Sequence, residues 1–161
     1  MAAKPNYVLI QFGHNDQPGH GPERETDAAT SFKANIARYV EEARAAGVTP
    51  ILVTPILVTP MTRREFDATG KIISSLAPYA DAVRAVAREN KVPLIDLHAR
   101  SLAFFEKIGA EKSKTLAPVK ATGVSDGTHL NAQGSAAIAP LVVDELKRAL
   151  PAVAADFKSA L

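Results

Sequence analysis

The chain has 161 residues, 47% of them hydrophobic and 22% charged, which suffices for one globular domain with its own core. Its formal net charge of +2, with Lys and Arg scattered beside Glu and Asp, excludes the basic stripe of a nucleic-acid-binding surface. The lack of cysteine excludes disulfides and thiolate metal sites, and no apolar run has the form of an export signal or the length of a membrane span, which leaves the compartment unknown.

In chain order, Tyr7 to Phe12 is a short apolar run that ends at Gly13, the pattern of a strand buried on both faces. A polar loop follows. Thr26 or Asp27 can cap a helix, and Phe32, Ile36, Tyr39, Val40 and Ala43 then recur at helical spacing until Gly47. A second strand lies within Pro50 to Thr59 and is followed by a charged loop. The next helix runs from about Ala77 to Glu89, with Ala80, Val83 and Ala87 on one stripe. Val92 to Leu97 reads as a third strand, Ala99 to Ile108 as a helix, and a long loop through Lys120 leads to a helix from Asn131 to Ala149. Strands alternating with helices imply parallel crossovers and an α/β sheet.

Val48 to Pro60 reads VTPIL-VTPIL-VTP, a repeat of period five. Side chains alternate faces along a strand, so a continuous strand through both copies would turn equivalent residues to opposite faces, and Pro55 would remove a ladder donor in its middle. One copy is expected to form the strand while the other extends or bulges out of it.

Two motifs bracket this pattern: Gly13-His14-Asn15-Asp16 after the first strand and Asp126-Gly127-Thr128-His129 before the last helix. Together with Tyr7 to Gln17 (YVLIQFGHNDQ), Thr59 to Phe66 (TPMTRREF) and Asp126 to Gly134 (DGTHLNAQG), they resemble the SGNH (GDSL-type) hydrolases, in their rhamnogalacturonan acetylesterase-like branch. The resemblance implies a flavodoxin-like three-layer α/β fold with a parallel sheet in the order 2-1-3-4-5, here a single domain over residues 1–161. Only six residues precede Tyr7, where a strand-helix-strand unit needs roughly 30, so the sequence is expected to hold strands three, four and five of that sheet. The family's Gly-Asp-Ser segment, which supplies the attacking serine, is not in the sequence. With the preceding unit missing, Tyr7 to Phe12 becomes a sheet edge, which predicts pairing with another copy of the chain.

The chemistry implied is hydrolysis of acetyl esters on pectic or related polysaccharides, without a cofactor or a metal. His129 takes the part of general base and Asp126 that of its orienter. Asn15 directs its amide at the oxyanion, with Gly13 and His14 beside it on the substrate side. Asp16 is assigned a structural role. Asn131 and Gly134 shape the entrance of the last helix, and Arg63 and Arg64 either meet an anionic sugar or remain solvated. The plain alternative for the second motif is that Asp126 or Thr128 caps the helix and His129 is an ordinary exposed residue. No serine present has a Gly-Asp-Ser or Gly-x-Ser-x-Gly setting, so catalysis is expected to be impaired. Two other classes compete: a metal hydrolase using His14, Asp16, Asp126 and His129, and a non-catalytic fragment that oligomerises or binds sugar.

Overall fold

The computed structural model describes residues 5–46 and 54–152. The chain divides into two compact units, Met1–Pro60 with Pro78–Ile95, and Met61–Ala77 with Asp96–Leu161.

The first unit contains a parallel three-stranded sheet formed by β1 (Tyr7–Ile10), β2 (Thr54–Val58) and β3 (Leu94–Ile95), in that spatial order. Tyr7 pairs with Thr54 and Ile10 with Leu57, while Leu57 and Val58 pair with Leu94 and Ile95. Among the described residues β1 is therefore an edge strand, as expected. It is not buried on both faces: Ile10 is buried, but Leu9 is 51% exposed and Tyr7 40%. The first copy of the repeat falls outside the described residues, and β2 lies in the second. Pro55 sits in β2 without breaking the ladder. Thr59 donates its N–H to the Ile95 carbonyl, and donors alternate sides along a strand, so Pro55 faces the β3 side, before β3 begins at Leu94.

Helix α1 (Lys33–Ala46) packs against β2 and buries Ile36 and Val40 together with Phe32. The helix is entered through a π-helical turn, Ala28–Phe32, whose cap is Asp27: its carboxylate accepts the N–H groups of Ala29 and Thr30. Helix α2 (Ala77–Glu89) buries Ala80, Val83 and Ala87 as its stripe predicts, and also Tyr79, which meets Phe32 edge to face at 5.0 Å. The helix is closed by Lys91 in the left-handed region (φ 52°), with Val92 donating its N–H back to Ala87.

The second unit is built on α3 (Leu97–Thr115) and α4 (Ala132–Ala149), which pack together. α3 runs further than its apolar spacing indicates, because Gly109 (φ 80°) kinks it and a second short helical stretch continues to Thr115. The supposed long loop is thereby shortened, and its remainder is a small hairpin in which Val119 bridges Ser125. Among the described residues, no helix is long and apolar enough to cross a membrane.

Candidate active site

In the first unit, Gly13 to Asp16 follows the carboxyl end of β1, the side of an α/β sheet on which ligands bind. Gly13 adopts φ 126°, which strains any residue with a side chain, and a β-carbon there would also press on its neighbours, 3.1 Å from Pro60 and 3.3 Å from Tyr79. Asp16 ties the loop together. Its carboxylate accepts the Gly13 N–H at 3.0 Å and the Thr26 hydroxyl at 3.1 Å. The Tyr79 hydroxyl lies 2.9 Å from the carbonyls of both Asp16 and Thr26, sharing its proton between them. Burial and the nearby Asp16, Asp27 and Glu25 carboxylates push that hydroxyl's pKa up, which keeps it a donor. Held in this way, the loop leaves Asn15 exposed and His14 half-buried.

In the second unit, the Val119–Ser125 hairpin delivers Asp126, whose N–H donates to the Pro118 carbonyl at 2.9 Å. The Asp126 carboxylate then organises the turn that follows. Oδ1 accepts the N–H groups of Thr128 at 2.6 Å and His129 at 2.9 Å, and Oδ2 lies 2.9 Å from His129 Nδ1. The contact with the imidazole, followed by the two backbone donors, holds the Asp126 carboxyl well below the usual carboxylate range. The imidazole is 76% exposed, so its second nitrogen is within reach of a reactant.

Neither Asp126 nor Thr128 caps α4. The cap is Asn131, whose side-chain oxygen accepts the Gly134 N–H at 2.8 Å. Its amide donates to the carbonyls of Thr115 and Ala117, and its backbone N–H donates to Leu116, so one side chain joins the end of α3 to the start of α4. The arrangement frees Asp126 to hold the histidine.

Arg64 is not a solvated surface charge. Its backbone N–H donates to the Gly127 carbonyl at 2.9 Å, and its guanidinium donates to the carbonyls of Asp126 and His129 while lying 5.3 Å from the centre of the buried Phe105 ring. A cavity of about 680 Å³ opens beside this turn, with Phe66, Val119, Val124 and Ser125 in its wall next to Arg64 and Asp126.

A second histidine contact was not signalled by any motif: Ser74 Oγ lies 2.6 Å from Nε2 of His98, which is buried at the start of α3. The two residues are 24 apart, a separation that carries no local pattern. Among the described residues, no group of three His, Asp or Glu side chains is placed to share a metal ion.

The sequence profile of the GDSL-like Lipase/Acylhydrolase family matches residues 1–137. The chain is 35% identical over 150 residues to rhamnogalacturonan acetylesterase RhgT of Bacillus subtilis (strain 168), covering 88% of this chain and 61% of that protein. It is 34% identical over 142 residues to the probable rhamnogalacturonan acetylesterase YesY of the same organism, covering 88% and 62%. The crystal structure of protein YxiM from Bacillus subtilis superposes with a TM-score of 0.71 at 34% identity, covering 88% of this chain and 36% of that one. The chain thus spans about three fifths of the length of the two acetylesterases it matches. With an SGNH-type α/β architecture, it belongs to the GDSL-like lipase/acylhydrolase family.

Proposed function

We propose that residues 1–161 are one SGNH-type domain carrying the general-base part of a carbohydrate-esterase site, which acts on acetyl esters of pectic or related polysaccharides. The observation that carries this reading is the Asp126–His129 pair, with the carboxylate on Nδ1 of an exposed imidazole. In the reaction, a serine hydroxyl attacks the acetyl carbonyl, and His129 Nε2 takes its proton and passes it to the departing sugar oxygen. Water then attacks the acyl carbon, His129 accepts the water's proton and returns it to the serine, and acetate leaves. Asn15 donates its amide to the oxyanion, with Gly13 and His14 beside it on the substrate side, and the cavity next to Asp126 receives sugar flanking the ester. No cofactor takes part.

The family's Gly-Asp-Ser tripeptide is absent from residues 1–161, so hydrolysis by these residues alone is impaired and depends on water activated by His129. Acetate release from acetylated pectic oligosaccharides, measured for the purified chain and for His129→Ala, tests this. Weak turnover that vanishes in the variant is expected; equal background rates would sink the assignment of His129 as a base in this chain.

The β1 edge favours a second reading, a fragment that oligomerises and binds sugar without turning it over. Tyr7 and Leu9 in β1 and Phe12 just beyond it are 40%, 51% and 47% exposed, beside the edge of β1 that has no partner strand among the described residues, an apolar edge of the kind that pairs with another chain. Sedimentation should show a dimer or larger species that Leu9→Lys dissociates. A monomer at all concentrations would exclude the edge as an assembly surface.

A further inference from the structure

We propose that Arg64 is the positioning residue of the His129 base: it holds the catalytic turn from behind and thereby fixes the tautomer of an otherwise exposed imidazole. The inference rests on the reading of His129 as a base, and it is tested without reference to turnover.

Within the second unit, the peptide groups between Asp126 and His129 are held from two sides. Their N–H groups at Thr128 and His129 point to the Asp126 carboxylate, while the carbonyls of Asp126, Gly127 and His129 all accept from Arg64. The Gly127–Thr128 peptide joins the two sides. Its carbonyl accepts from the Arg64 N–H at 2.9 Å and its own N–H donates to Asp126 Oδ1 at 2.6 Å. The bond to the Gly127 carbonyl comes from the Arg64 backbone and anchors the middle of the turn, while the guanidinium bonds to the Asp126 and His129 carbonyls grip its two ends, and these are what a side-chain substitution removes.

The arginine is itself fixed. Its guanidinium lies over Phe105, which is fully buried on α3, and burial lowers the guanidinium's pKa while the nearby Asp126 carboxylate opposes that shift. Both carbonyls accept from one nitrogen, Nη2, so a lysine ammonium can replace part of the grip but not the guanidinium's contact with the Phe105 ring. The need for such a brace follows from the exposure of His129: with 76% of its side chain in solvent, the imidazole is oriented by Asp126 and by the path of the turn. If the turn loosens, Oδ2 no longer holds Nδ1–H, and the ring reverts to the Nε2–H tautomer, whose solvent-facing nitrogen is protonated and cannot act as a base.

The test is the tautomer of His129 read by 15N NMR of the full chain at a pH where the ring is neutral. The wild-type chain should show predominantly Nδ1–H. Asp126→Asn, whose amide donates to Nδ1, should show Nε2–H and calibrates the opposite limit. Arg64→Ala is expected to shift the resonances toward that limit, and Arg64→Lys to shift them part of the way. If Arg64→Ala does not fold, Arg64→Lys decides. Ser74→Ala, which weakens the same unit elsewhere, should leave the tautomer unchanged. A folded Arg64 variant with wild-type resonances, or a shift equally large in Ser74→Ala, would overturn the proposal. Lack of ester hydrolysis leaves this measurement intact and counts only against the esterase reading.

Discussion

A β-carbon on Gly134 would collide with the carbonyl oxygen of Leu116, the same oxygen that accepts the Asn131 backbone N–H. The first turn of α4 is thereby seated directly on the chain that ends α3, with no room for a side chain between them.

The seat makes Gly134→Ala destabilising, although alanine is the better helix former by about 1 kcal/mol. The Leu116 carbonyl is backbone and is pinned by Asn131, so it cannot move aside. A loss of about 1–3 kcal/mol is expected, as for other overpacked sites, with a lower Tm by calorimetry. An unchanged or raised Tm would contradict the close approach.

Asp126 should make stability depend on acid. Its carboxyl titrates lower in the folded chain than in the unfolded one, because the imidazole and two N–H groups favour the anion. Below about pH 4 the unfolded state therefore binds more protons, and the stabilisation, fully present at higher pH, is lost progressively as pH falls. Urea midpoints should show Asp126→Asn less stable than wild type near neutrality, with the gap closing in acid. A gap that stays constant would mean the carboxylate is not held by these donors.

Ser74→Ala should cost about 1–2 kcal/mol by removing the hydrogen bond to buried His98, and should leave any ester hydrolysis unchanged. Ser74 is half-buried, and the cavity beside Asp126 is not lined by it. Loss of turnover in this variant, or labelling of Ser74 by a fluorophosphonate, would instead mark it as a nucleophile.

Removing residues 48–52, one full copy of the repeat, should leave the fold intact with an unchanged or higher Tm. Seven residues (47–53) connect α1 to β2, and the deletion leaves two, still within the usual range for helix-to-strand connections. Failure to fold would show that the first copy makes contacts the sheet needs.

Much of the fold was legible because helical and strand spacing is local: Phe32, Ile36 and Val40 announce α1, and Ala80, Val83 and Ala87 announce α2. The pairing of Asp126 with His129 was legible for the same reason, since three residues of separation fit one turn. What was not legible depends on distant parts of the chain. The Leu9 side of β1 is open because nothing described in this unit covers it, which an apolar run does not reveal. Arg64 looks like a surface charge until the Asp126 turn, 62 residues later, is folded onto it. Asn131 reads as part of the entrance of the last helix, but its cap of that helix and its hold on the carbonyls of Thr115 and Ala117 appear only once α3 is known to continue beyond Gly109.

Residues 48–55 and 53–60 are the same octapeptide, VTPILVTP. Had the chain entered the sheet five residues earlier, every position of β2 would hold the same amino acid it holds now. Thr54 would offer Ile95 the N–H that Thr59 offers, and Pro55 would stand against Gly13 where Pro60 stands. Strand pairing and side-chain packing therefore cannot tell the two frames apart. The choice falls to the connections, through closure entropies that vary slowly with length, and to Met61 and Thr62, which are 9% and 0% exposed and come next in the chain only when the second copy is used. The sheet is thus indifferent to which copy fills it, and the residues after the strand set the frame.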